Sequence, residues 1–209
     1  MAIKPASRTL TWNDFVEREG TKPDNRSTSA IGSVYVAGIR AYPQFVSAKL
    51  TITPDDKPLK ANKKYKVKAS SVEMTMKADN AYVAKAYKTA AYLAHEQGHY
   101  NIANLIAKQI EEGLKKYVAD LTSGPLQDDQ MLFDGLDKDW WDAAQEAVWT
   151  PLMAKLEELQ QKYDDATTNG SDAKEQANWQ QFVKQSTSAV ILGKKCGIDV
   201  PSDPNKKTP

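Results

Sequence analysis

Between Lys85 and about Leu121 the chain runs through a helix-compatible stretch that contains no proline. Immediately before it the hydrophobic period is two. Placed at about 100° per residue, His95, His99, Ile102, Ile106, Ile110 and Tyr117 fall on one stripe, the face a globular helix turns to its core. In the preceding region Ala48, Leu50 and Ile52 alternate with Lys49, Thr51 and Thr53, and Val72, Met74 and Met76 alternate with Glu73, Thr75 and Lys77. That pattern predicts a half-buried antiparallel sheet of three or four strands within Val34 to Ala84, with turns at Pro54 to Pro58 and Ala61 to Lys64. Strands segregated before helices specify an α+β domain.

The flanks complete the outline. Leu10, Trp12, Phe15 and Val16 predict a short docked segment, followed by a mobile loop through Thr21 to Ser29. A second helical region is expected near Asp139. Thr150 and Pro151 have the character of an N-cap and first-turn proline for a helix with Leu152, Leu156, Leu159 and Tyr163 on one face. Asn169 and Gly170 should end it. A last helix from Asp172 to about Lys184 is anchored by Trp179, Phe182 and Val183. Residues 1–200 read as a single domain and 201–209 as a flexible tail without apolar partners.

Composition excludes several classes of function. The 28 Lys and Arg against 27 Asp and Glu leave a net charge of +1, so no global field recruits nucleic acid or an anionic membrane. No stretch approaches the roughly 20 apolar residues of a membrane span, and Met1 to Leu10 is too polar for a signal peptide. A chain whose export signal has been removed reads the same way, so the compartment and the oligomeric state stay open. The single cysteine, Cys196, forms no intrachain disulfide and belongs to no four-cysteine metal site.

The chain has 2 histidines, and both lie in the segment Ala94, His95, Glu96, Gln97, Gly98, His99, Tyr100. Chance places two histidines four apart in roughly 1% of chains this long, and a glutamate directly after the first is rarer still. On a helix, positions i and i+4 lie one above the other, so two imidazoles converge on one Zn²⁺ at about 2.0 to 2.1 Å. Glu96, rotated by about 100° from His95, can reach a water on that ion without competing as a ligand. Zinc lowers the pKa of such a water toward about 7, and the carboxylate takes its proton during attack on a carbonyl. The bland reading is a pair of packed helix histidines. Against it stand the amphipathic helix, the core-facing stripe and the preceding strand Val72 to Met76, beside which an extended peptide can be held by strand addition.

The segment His95 to Ala103, His-Glu-Gln-Gly-His-Tyr-Asn-Ile-Ala, resembles the active helix of the bacterial predicted zinc-dependent protease family, the domain of unknown function numbered 922. Leu10, Thr11, Trp12, Asn13, Asp14 and Phe15 resemble that family's Leu-Thr-Trp-x-Asp-Phe element. Tyr163, Asp164, Thr167 and Gly170, then Gln176 and Trp179, resemble its Tyr-Asp-x-Glu-Thr-x-His-Gly segment and following Gln-x-x-Trp. The resemblance implies a zincin-like metallopeptidase, a small antiparallel or mixed sheet packed on a long active-site helix and C-terminal helices. It implies Zn²⁺ as cofactor and a peptide or protein as substrate.

Two departures matter. Ala166 and Asn169 stand where the family pattern has Glu and His. With no third imidazole in the chain, the remaining zinc position falls to a carboxylate, a tyrosine or amide oxygen, a substrate or water. Asp164 is the choice: it matches the pattern, lies at the end of an amphipathic helix and supplies an anionic oxygen. A plain helix-end carboxylate is the competing account, and Asn169 and Glu146 are the next candidates. Tyr163 could donate to a tetrahedral oxyanion, but its place on the leucine stripe favours packing. The expected function is therefore a zinc-dependent metallopeptidase with His95, His99 and Asp164 as ligands and Glu96 as general base. Its rivals are a degenerate, noncatalytic zincin-like binding or scaffold module, and a structural zinc site with a closed shell.

Other signals carry less. Asp134, Asp137, Asp139 and Asp142 lack calcium-loop spacing and read as a solvated helix start. Lys57, Lys60, Lys63, Lys64, Lys66 and Lys68, with Tyr65 as the one aromatic among them, read as a charged sheet face or edge protection. Trp140 and Trp141 read as core anchors, and Cys196 has no histidine left to activate it.

Overall fold

A single 3-10 turn at Lys85–Tyr87 leads into helix α1, Ala90–Thr122, which is 33 residues long. The structure, a computed structural model, describes residues 8–18, 37–54, 65–122 and 138–191. The helix begins where a cap first exists: Thr89 accepts the Tyr92 N–H on its hydroxyl and the Leu93 N–H on its carbonyl. Ile102, Ala103, Leu105, Ile106, Ala107, Ile110 and Leu114 are all at most 1% exposed. Burial therefore exceeds the single stripe that periodicity predicts. Sheet strands pack on one side of α1 and two later helices on the other, so its apolar face is wider than a single stripe.

The sheet is mixed. Strands β1 (Val16–Arg18), β2 (Ala37–Pro54) and β3 (Tyr65–Ala84) lie in the order β1-β3-β2. β2 and β3 are antiparallel from Ala37 opposite Val83 to Pro54 opposite Tyr65, whereas β1 runs parallel to the end of β3, with Val16 opposite Tyr82. Among the described residues, the region from Val34 to Ala84 contributes two long strands, and the third comes from the segment expected only to dock. Val72 and Met74 are buried, as their alternation requires. Pro43 sits inside β2 opposite Met76, a place where its missing N–H is tolerated because β2 is an edge strand among those described. The pairing shifts register between Gly38 and Arg40, a bulge that reappears beside the candidate site.

Helix α2, Lys138–Ala144, continues through a π-helical turn, Gln145–Trp149, into helix α3, Thr150–Thr167. Thr150 is itself helical and does not cap α3; its N–H reaches Gln145 O, five residues back. The wide turn suits Pro151, whose ring crowds the preceding turn of a regular helix and supplies no donor. Helix α4, Ala173–Ile191, starts on Asp172, whose Oδ1 accepts the Lys174 and Glu175 N–H groups at 3.0 Å each. It extends beyond the predicted end, with Ser186 buried past Trp179 and Val183. Half-buried Trp141 lies in an aromatic cluster with Phe45 at 4.3 Å and Trp149 at 5.9 Å.

The predicted loop at Thr21 to Ser29, both turns between Pro54 and Tyr65, and Asp134, Asp137, Cys196 and the tail 201–209 lie outside the described residues, as do the side chains of Lys66, Lys68, Asp139 and Trp140. Among the described residues no helix is long and apolar enough to cross a membrane.

At the end of α3 the chain enters the left-handed region for three residues, Thr168 at φ 49°, Asn169 at φ 50° and Gly170 at φ 91°. A β-branched threonine there is strained by roughly 1 kcal/mol or more. Thr168→Gly should raise the unfolding free energy by about 0.5 to 1 kcal/mol, the relief exceeding the entropy cost of glycine. Urea denaturation at unchanged m checks this, and a lowered midpoint would contradict it.

Candidate metal centre

α1 presents His95 and His99 one turn apart, and α3 brings Asp164 across to them. His95 Nε2 lies 3.1 Å from His99 Nε2 and 3.1 Å from Asp164 Oδ1, and His99 Nε2 lies 2.9 Å from the same oxygen. A tetrahedral ion with bonds of about 2.0 to 2.1 Å holds its donors about 3.3 Å apart. The triangle is slightly smaller than that, so the donor set fits one small cation with little movement. Among the described residues, this is the one group of histidine, cysteine, aspartate and glutamate side chains close enough to share an ion. The imidazoles are 5% and 12% exposed and the Asp164 side chain 32%, so access is from the Asp164 side.

The rings are held from behind. His99 Nδ1 is 2.5 Å from Gln160 Oε1, and His95 Nδ1 is 3.3 Å from Thr167 Oγ1. Tyr163 stacks on His95 at 4.9 Å with an interplanar angle of 13°, and stands edge-on to His99 at 5.0 Å. Its ring is fully buried and leaves no route to an oxyanion, which assigns it to packing. Two glycines permit this closeness. A Cβ at Gly98 would lie 2.1 Å from Tyr163 Oη, and one at Gly170 would lie 2.9 Å from His95 Cβ. Gly170 is held in turn by its carbonyl, which accepts from the buried Gln176 amide at 2.5 Å.

Glu96 is 3% exposed, and its Oε2 has no hydrogen-bonding partner in the protein. Burial pushes its carboxyl up to about 7, with the His99 charge opposing and Asp164 assisting, while the Ile39 backbone N–H at the β2 bulge bonds to the carboxyl group. Burial lowers the pKa of His95 more than Asp164 raises it. At His99 burial also works against the imidazolium, but the Asp164 hydrogen bond and the nearby carboxylates lift it to about 9. Burial works against ionisation of Asp164 too, yet the two imidazoles hold its carboxyl well below the usual range. The same three atoms that attract a proton here would attract a divalent ion.

Gln97, between the two histidines in sequence, faces away from them. Its Oε1 accepts the Leu10 N–H at 2.6 Å and its Nε2 donates to Arg8 O at 3.0 Å, pinning the N-terminal segment to α1. Thr11 and Asp14 then close the turn that buries Leu10 and Phe15, with the Thr11 N–H on Asp14 Oδ2 at 2.8 Å.

The structure thus brings His95, His99, Glu96 and Asp164 together. The other candidates stay apart: Asn169 is exposed at the helix end with its N–H on the Asp164 carbonyl, and Glu146 is exposed on the π-helical turn. Ala166 packs against the core. Gln160 escaped notice, although polar Gln160, Asp164 and Thr167 continue the face that carries Leu156, Leu159 and Tyr163, and polar residues on a core stripe are a legible signal.

Gly98→Ala should destabilise the protein by about 1 to 3 kcal/mol and weaken any metal binding, because the Tyr163 ring cannot swing clear and α3 must shift. Tyr163→Phe, by contrast, removes a buried hydroxyl without a partner and should unfold at an equal or higher urea concentration. A marked loss of stability in Tyr163→Phe would show that the hydroxyl is satisfied. In comparisons with known proteins, no family model, no curated protein and no solved structure matches this chain.

Proposed function

We propose that the protein is a zinc-dependent metallopeptidase with His95, His99 and Asp164 as ligands and Glu96 as general base and acid. The observation that carries this reading is the meeting of three ligand atoms within 3.1 Å of one another beside a buried carboxylate with an unpartnered oxygen. Two imidazoles and a carboxylate suit zinc, and three protein ligands are the number that leaves a position for water or substrate. When bound, the ion would lower the pKa of a water and polarise the scissile carbonyl. Glu96 accepts the proton of the attacking water on Oε2 and returns it to the leaving amine. Its burial keeps bulk water from competing for that proton, and Ile39 fixes its orientation.

A peptide substrate is favoured by β2. It is an edge strand among those described, and its bulge meets Glu96, so an extended main chain can pair beside the base. The motive for a noncatalytic module was the replacement of two family residues by Ala166 and Asn169. Asp164 completes the donor set without either position.

Untagged protein prepared with zinc should carry one equivalent, reduced to a trace in His95→Ala and His99→Ala and bound about 10- to 100-fold more weakly in Asp164→Asn. Absence of stoichiometric metal in the wild type removes the reading. Glu96→Gln should retain zinc while cleavage of an unfolded protein substrate falls by about 10² or more. Cleavage at the wild-type rate would deny Glu96 its role, whereas peptide binding without turnover in the wild type would support the noncatalytic module.

A further inference from the structure

We infer that Gln160 and Thr167 are positioning residues that hold a proton on Nδ1 of both imidazoles, so that Nε2 of each ring is the atom left to face the cation site. The inference rests on the proposed metal reading for its purpose, but the hydrogen-bond assignment stands on its own. Thr167 has one hydroxyl proton, and its oxygen lies 2.7 Å from Tyr163 O, which can only accept. That proton is committed. Toward His95 Nδ1 the Thr167 oxygen can therefore only accept, and Nδ1 must carry the hydrogen. Gln160 is oriented by the same logic. Its Nε2 donates to His99 O at 3.1 Å, and turning the amide over would set two oxygens against each other. Its Oε1 is thereby fixed toward His99 Nδ1, which must donate.

Gln160, Tyr163, Asp164 and Thr167 fall at i, i+3, i+4 and i+7 of α3. One face of one helix thus supplies a donor atom, the ring that stacks on His95 and the acceptors that set both tautomers. The helix carrying the two imidazoles contributes the His99 carbonyl, which orients the Gln160 amide. An outer acceptor on a ligating histidine typically changes metal affinity about 10- to 100-fold.

The chain has 2 histidines, so the imidazole signals in ¹⁵N–¹H correlation spectra of the untagged protein come from His95 and His99 alone. In metal-free protein Nδ1 of both rings should carry a proton, and in zinc-loaded protein both should keep it while Nε2 shows ligation. A bare Nδ1 on His95 or His99 overturns the assignment whether or not zinc binds. In chelator competition, Thr167→Val and Gln160→Leu should each raise the zinc Kd about 10- to 100-fold, with Thr167→Ser restoring it. Folded variants that bind zinc with wild-type affinity overturn the positioning role and leave the metal reading intact. A wild type that binds no zinc overturns the metal reading, and the metal-free spectrum still decides the tautomers.

Discussion

The contact of the Tyr163 ring with the backbone at Gly98 sets the distance between α1 and α3, and the site depends on that distance. With no side chain at position 98, the phenol end lies where a Cβ would be. Asp164 follows Tyr163 in the chain, so the approach that seats the ring also carries the carboxylate to within 3.1 Å of both imidazoles. Gly170 extends the same principle at the helix end, where a left-handed turn lets the chain pass against His95. Close packing and the placement of Asp164 beside the imidazoles are one structural fact here.

Each residue of the His95 to His99 segment answers a different demand. The histidines turn toward α3, Glu96 toward the bulge of β2, Gln97 toward the N-terminal segment, and Gly98 toward Tyr163. A helix rotates successive side chains by about 100°, so five consecutive residues survey its whole circumference. α1 can be used that way because the sheet, the N-terminal segment and two later helices all pack on it. The price of such coverage is the burial of polar groups, and Glu96 Oε2 and Asn104 Oδ1 both lie inside without partners.

How far the sequence alone leads depends on the range of the interaction. The α+β class, the long helix and the His95, Glu96, His99 constellation are local, set by periodicity and by a spacing of four. Asp164 was reachable through a chemical demand for an anionic oxygen together with a family resemblance. The parallel strand Val16–Arg18 was not, because three residues carry too little pattern and their partner, Tyr82 to Ala84, is far away in the chain. Thr150 looked like a cap because Thr-Pro is a strong local signal, yet α2 runs through a π-helical turn into α3 and overrides it. Gln160 is legible only as a polar residue on a core stripe; its contacts with His99 depend on α3 lying on α1.

The placement of the polar groups on α3 also bears on why this site is built from two helices. Rings on one helix could find acceptors on that same helix, but those acceptors would move with them. Here Asp164 and the groups facing both Nδ1 atoms belong to α3, so its position relative to α1 fixes the carboxylate distance and the ring surroundings together. A small slide of α3 would degrade all of these contacts at once, which makes the site sensitive to the packing beneath it. Leu156, Leu159 and Tyr163 supply that packing, and each is at most 4% exposed. Burying a leucine side chain contributes about 1.5 to 3 kcal/mol. An apolar stripe of ordinary strength therefore holds a polar face in register, and the chemistry available at the site follows from that register.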